Sequence, residues 1–356
     1  MSKPTDILRL IYKDFIDHHN QGYFLFKCWR VHPWFRFKRK DNNSFTTAYI
    51  LHRLLKNKDY FAEKGKNQIE EIKAAFIEKI DNYAHVRKTD PSFNFYQNHP
   101  ESNFFPNSNF LRKIKRFKLA DEIDTSALVY QILDDKENLN AFFELAKSFS
   151  NKSKQNHLPK NLQDFEVYGT WLGSETAFEI DLCVLCNFLE LKLSTQSELE
   201  TEDKECIRLF QYCINEHLIK KTPCLLSPSY QKPLVIYYHL ARFYNLFPEH
   251  FEQKTFQNLL QSIDHYQCQN ETETFIKNAA FRRLGIDKRK EIKLGEIDLY
   301  FPWFKAAFLS GIKSKLIKKI AFSNLFQMQY TCPALILAIA LEELIFAEHE
   351  NSRTTS

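Results

Sequence analysis

The stretch DEIDTSALVYQIL, residues 121–133, sets three acids (Asp121, Glu122 and Asp124) directly ahead of a run rich in Ala, Leu, Val and Tyr. Acids in front of an apolar run are the signature of a helix start, where free N–H groups and the helix dipole favour negative charge. The run behind them is apolar almost all round, which describes a helix with no solvated side. The same phrase recurs as SFTTAYILHRLL (44–55), DLCVLCNFLELK (181–192), KPLVIYYHLARFY (232–244), TETFIKNAAFRRLG (272–285) and CPALILAIALEEL (332–344). With DTSALVYQILD (124–134) this makes six copies.

The segments between them read differently. NQIEEIKAAFIEKIDNYA, KENLNAFFELAKSF, TEDKECIRLFQYCINEHLI and KTFQNLLQSIDHY are each charged on one helical face and apolar on the other. Strand signals are sparse and no βαβ alternation appears. Buried and amphipathic helices in alternation have an economical arrangement: an inner ring of the first kind and an outer ring of the second. The expectation is therefore an all-α (α/α)6 barrel forming one domain over residues 1–345, with 346–356 as a disordered tail.

Composition narrows the function. Seven glycines and no glycine-rich phosphate motif exclude the common nucleotide-binding α/β folds. Forty-nine basic against 44 acidic residues describe a solvated surface rather than a nucleic-acid footprint. No apolar run reaches the length of a membrane span, and no export signal opens the chain. The eight cysteines are accordingly read as reduced thiols and the location as cytoplasmic.

The six-helix pattern, from about residue 25 to 345, resembles the α/α toroid of terpenoid cyclases and protein prenyltransferase β subunits. DEIDTSALVYQIL is similar to the class II terpene cyclase phrase DxDDT(A/S), which also opens an inner helix. The resemblance implies an apolar isoprenoid or polyene in a central cavity, protonated by the middle carboxylic acid. Here the phrase aligns as Asp121, Glu122, Ile123, Asp124 and Thr125, so the donor's place is held by Ile123, which has no proton to give. The DDxxD and NSE phrases of metal-dependent ionisation are missing; LDDKEN (133–138) has only Asp134 and Asp135 together.

Parallel inner helices would bring their N-termini to one rim, and Asp121, Asp124 and Asp181 are the candidate acids there. The competing reading has Asp124 and Thr125 capping the helix with Asp121 in the loop. Aromatic residues near the helix starts, Trp34, Tyr168, Trp171, Tyr230 and Trp303, with Tyr238 inside the fourth helix, are candidates to line the substrate site. Packing is the competing account of the same rings. Asp181, Cys183 and His239 resemble the zinc set of prenyltransferase β subunits, whereas Cys183 and Cys186 read on their own as small buried residues. No metal and no cofactor are expected. Arg242 is read as a salt-bridge partner or an anion holder, and the basic run RLGIDKRKEIKLG (283–295) as a solvated loop. The expected partner is a small apolar ligand, with no nucleic acid and no membrane span. Three functions compete: a terpenoid-cyclase-like enzyme, a carbohydrate-active α/α-barrel using rim carboxylates, and a non-catalytic binding toroid.

Overall fold

A computed structural model describes residues 3–354 except 22, 36, 86–89, 99–118, 152–157, 159, 174–177, 197, 287–292 and 307–326. The central part of the basic run, 287–292, thus lies outside the described residues. The helices are α1 (Pro4–His18), α2 (Ser44–Lys56), α3 (Glu63–Ile80), α4 (Ile123–Leu133), α5 (Lys136–Ser148), α6 (Leu182–Thr195) and α7 (Thr201–Asn215). After two short turns, α8 (Leu218–Lys221) and α9 (Pro223–Leu226), come α10 (Pro233–Leu246), α11 (Gln253–Asp264), α12 (Glu271–Arg283) and α13 (Pro333–Thr354).

Local chemistry sets these starts. Asn43 caps α2 by accepting from the Thr46 N–H at 2.8 Å, and Asn270 caps α12 through the Glu273 N–H at 2.9 Å. Pro4 and Pro233 begin α1 and α10, where a missing N–H costs nothing. Gly285, at a φ of 73°, follows the end of α12 in the left-handed conformation that glycine adopts freely.

The helices that read as apolar all round are buried along most of their length, as in α2, α4, α6 and α10. They pack in chain order: α2 on α4, α4 on α6, α6 on α10 and α10 on α12, while α13 packs on α2. An ion pair from Arg283 of α12 to Glu343 of α13, 2.7 Å, links the two ends of that series. The amphipathic helices lie against them. α3 packs on α2, α7 on α6, and α11 on α10 and α12, with α1 against α13 and α3. The α5 ring Phe142 stacks on Tyr130 of α4 and meets Phe188 of α6 edge-on.

Two expectations need correction. The chain is mostly but not wholly helical: β1 (Cys28–Val31), β2 (Lys38–Asp41), β3 (Phe304–Ala306) and β4 (Met328–Thr331) form an antiparallel sheet in the order β2-β1-β4-β3. Arg30 sits opposite both Arg39 and Tyr330, and Phe304 opposite Tyr330, so the sheet joins the two ends of the chain. β2 runs into α2 and β4 into α13, which places the sheet over those helix starts. Residues 346–354 are not a disordered tail but continue α13. Tyr60 donates to Glu348 and its ring meets His349 edge-on, which holds that extension to the body.

The sheet is fastened by rings. Phe304 stacks on Tyr330 with centroids 4.6 Å apart and meets Phe45 of α2 at 5.1 Å. Phe304→Ala should therefore cost about 3–5 kcal/mol in urea unfolding. Phe35→Ala, on a ring 70% exposed at the β1–β2 turn, should cost less than about 0.5 kcal/mol. Equal losses would mean that the sheet does not depend on this packing.

Candidate functional site

The opening acids of α4 are buried, but not as a cap. Glu122 occupies the N-cap, and no side chain bonds the free N–H groups there. Asp124, 3% exposed, instead accepts from Asn187 Nδ2 of α6 and from the Tyr230 hydroxyl, each at 2.8 Å. The capping reading of Asp124 and Thr125 is thus corrected: Thr125 donates to the Glu122 carboxyl, and Asp124 bridges α4, α6 and the loop before α10. Ile123, in the donor's alignment position, is fully buried.

These carboxyls hold protons unusually well. Burial pushes Asp124 up to about 7, against the pull of its bonds from Asn187 and Tyr230. Burial and then the charge of Asp124 push Glu122 up to about 8. Asp181 rises to about 6 through burial, although Ser227 and the Ser229, Val184 and Cys183 amides favour its charge. A helix N-terminus offers a carboxylate only about 0.3–1 kcal/mol. Desolvation without a paired cation outweighs that here.

Deeper along the same helices lies a second polar layer, about two and a half turns below the helix starts. Asn187 accepts from Arg242 at 3.3 Å, Arg242 pairs with Glu190, and Glu190 pairs with Lys56 at 2.9 Å. Arg53 Nε lies 3.1 Å from Glu342, while Arg283 reaches Glu343 at 2.7 Å and Glu342 at 3.4 Å. Burial opposes the charge on Glu190 and Glu342. Arg242 and Lys56 nevertheless hold Glu190 well below the carboxylate range, and Arg53 with Arg283 holds Glu342 near 2.

Between the two layers are rings. Tyr49 bonds Arg53 at 2.6 Å and His239 Nε2 at 3.3 Å. Trp303 packs 5.6–6.5 Å from Tyr238, His239 and Tyr49. His239 is kept neutral by burial and by Arg242. Trp303 Nε1 and Arg242 Nη1 are buried with no hydrogen bond from the described residues, positions that call for water.

The remaining sequence candidates divide. Tyr230 and Tyr238 are in the interior, Tyr238 donating to Glu343 at 2.9 Å, and Trp303 is buried against Tyr238. Trp171 lies at the start of α4, bridged by its backbone to Glu122 and donating to Glu179 at 3.1 Å. Tyr168 belongs elsewhere: its hydroxyl, fully buried, joins Asp203 of α7 and Lys192, both at 2.8 Å. Trp34 is 64% exposed on the β1–β2 turn and faces water, not a cavity. Asp121 accepts from Ser92 at 2.7 Å and Asn94 at 2.9 Å and so fixes the neighbouring loop. Asp181 caps α6 through the Cys183 N–H at 3.0 Å and holds the Ser229 N–H at 2.8 Å.

The zinc set does not assemble. Asp181 is spent on those bonds and His239 on Val235 and Tyr49. Among the described residues no group of His, Cys, Asp and Glu is placed to hold a metal ion, and every cysteine is free. No helix of the described residues is long and apolar enough to cross a membrane. A surface hollow of about 410 Å³ between α1 and α3, lined by Phe15, His19, Glu71 and Lys79, shares no residue with the acid cluster. Sequence reasoning missed Asn187, Glu190, Arg53, Arg283, Glu342 and Glu343. Their signal is a charged or amide side chain inside a largely apolar helix, except for Arg283, which ends the polar-rich α12 and carries no such signal.

No protein-family model matches the chain, and no curated protein or solved structure matches it either.

The acid cluster has a pH consequence. A carboxyl with an ordinary value near 4 when unfolded binds its proton more tightly in the fold. That stability is complete below about pH 4 and is lost as pH rises through about 6, 7 and 8, the values of Asp181, Asp124 and Glu122. Asp124→Asn, permanently neutral, should flatten the fall in urea-unfolding stability between about pH 4 and 7 by on the order of 2–4 kcal/mol. Parallel pH profiles for the two proteins would contradict a protonated Asp124.

Proposed function

We propose that the chain is an (α/α)6 toroid of the terpenoid-cyclase kind whose axis is taken up by its own ion pairs, so that it works by binding rather than turnover. α2, α4, α6, α10, α12 and α13 are the inner helices in this reading, and α1, α3, α5, α7 and α11 lie outside them. The order of their contacts and the Arg283–Glu343 link support ring closure. The observation that carries the function is the layer of Arg53, Arg242 and Arg283 against Glu190, Glu342 and Glu343. Charges that a ligand would neutralise in a working cavity are here neutralised by one another. Ile123 at the aligned donor position supports the same view.

A second reading rests on Asp124. A carboxyl that burial pushes up to about 7, bonded to Tyr230, whose ring lies 5.0 Å from that of His239, is chemically suited to donate a proton to an alkene. The unpartnered Trp303 Nε1 and Arg242 Nη1 favour it too, as atoms that a small ligand would satisfy. A sugar-cleaving site has less support, since it needs carboxylates facing an open polar groove. Asp124 and Asp181 are buried with their oxygens engaged.

Incubation with isoprenoid alcohols and diphosphates, followed by extraction and mass spectrometry, tests the choice. The binding reading predicts no conversion by the wild type. A product that disappears in Asp124→Asn at unchanged melting temperature would overturn it and establish Asp124 as the acid.

A further inference from the structure

The β1–β2 turn carries apolar surface that the fold does not use. Trp34 is 64% exposed, Phe35 70% and Phe37 41%, and Tyr300, next to Lys38 of β2, is 49% exposed. Single exposed rings are ordinary, but a cluster at one projecting tip is not. The tip is also built to hold its shape. His32, itself buried, accepts the Trp34 and Phe35 amides on Nδ1 at 3.2 and 3.1 Å, and its backbone N–H bonds the Phe37 carbonyl at 3.0 Å. The imidazole stacks on the Phe37 ring.

Three basic residues follow the turn on β2, while Asp298 accepts from the Tyr300 amide at 2.9 Å. Lys38, Arg39 and Lys40 of β2 are all exposed, on the outer strand of the sheet. Among the described residues none of the three pairs with a carboxylate. Lys38 lies over Trp29 at 4.4 Å and Tyr300 at 5.1 Å, and Lys40 over Tyr23 at 5.1 Å. Charges on an edge strand guard against sheet-to-sheet pairing. That accounts for the lysines but not for the bare rings ahead of them.

We propose that this hairpin docks the protein on an anionic lipid surface, with Trp34, Phe35 and Phe37 entering the headgroup region and Lys38, Arg39 and Lys40 meeting the lipid phosphates and carboxylates. Aromatic side chains settle at the membrane interface, and basic residues near it add attraction to anionic lipid that salt weakens. Rings at a turn favour this over a nucleic acid, for which stacking rings are spread over an open face. The inference stands whether or not the axis is inert.

Co-sedimentation with phosphatidylcholine vesicles, with and without phosphatidylserine, tests it. The wild type should pellet with the anionic vesicles and much less with the neutral ones. Trp34→Ser with Phe35→Ser, and separately Lys38→Glu with Lys40→Glu, should each lower partitioning at least tenfold at unchanged melting temperature. Tryptophan emission should shift to the blue on vesicle addition, and Trp34→Phe should remove that shift while keeping the binding. Wild-type protein left in the supernatant, or variants that pellet like the wild type, would overturn the proposal. So would a wild type that ignores vesicles but binds single-stranded oligonucleotide through the same residues.

Discussion

Charge buried in this interior has to meet charge. Six acidic and basic side chains, Arg53, Arg242, Arg283, Glu190, Glu342 and Glu343, are removed from water, five of them within largely apolar helices and Arg283 at the end of α12. Desolvating each costs several kcal/mol unless an opposite charge stands within reach. The partners come from different helices, α10 to α6, α2 to α13 and α12 to α13. The pairs therefore specify which helices stand together, a constraint that interchangeable Leu and Ile contacts do not impose.

The upper layer obeys the opposite rule. Among the described residues Asp124, Glu122 and Asp181 pair with no cation, and burial raises their hold on a proton. One set of helices thus carries acids with a raised hold on their protons near its N-terminal ends and ion pairs farther down. Over the α2 and α13 starts lies the sheet, whose Tyr330 hydroxyl is 2.7 Å from that of Tyr96, which in turn donates to Asp41 at 3.0 Å. Tyr96 thus ties the loop that carries it to both β2 and β4.

The helices were legible because their signals are local. Asn43, Asp181, Asn270, Pro233 and the apolar runs behind them mark starts that a reader can place within a residue or two. The sheet was not, because its strands are three or four residues long and β2 reads KRKD, with no apolar face to betray it. Its pairing of Arg30 with Tyr330 spans nearly the whole chain. Asp124 was read as a cap because acids at helix starts commonly are; Glu122 holds that slot instead, and Asn187 and Tyr230, both distant in sequence, define what Asp124 does. Arg242 announced a burial problem without naming Glu190 as the answer. The polar letters after residue 345 concealed a helix whose contact, Tyr60, lies far away along the chain.

The most direct test of an axis closed by its own charges is a double-mutant cycle on Arg242 and Glu190, read by urea unfolding. Glu190→Leu should cost about 3–5 kcal/mol, since it strands the buried Arg242, and Arg242→Met should cost less, since Lys56 still pairs with Glu190. The double variant should recover most of that loss, with a coupling of 1 kcal/mol or more on the order expected for contacting buried ions. Additive losses, or single variants as stable as the wild type, would contradict the claim and return Arg242 to the role of a group awaiting a ligand.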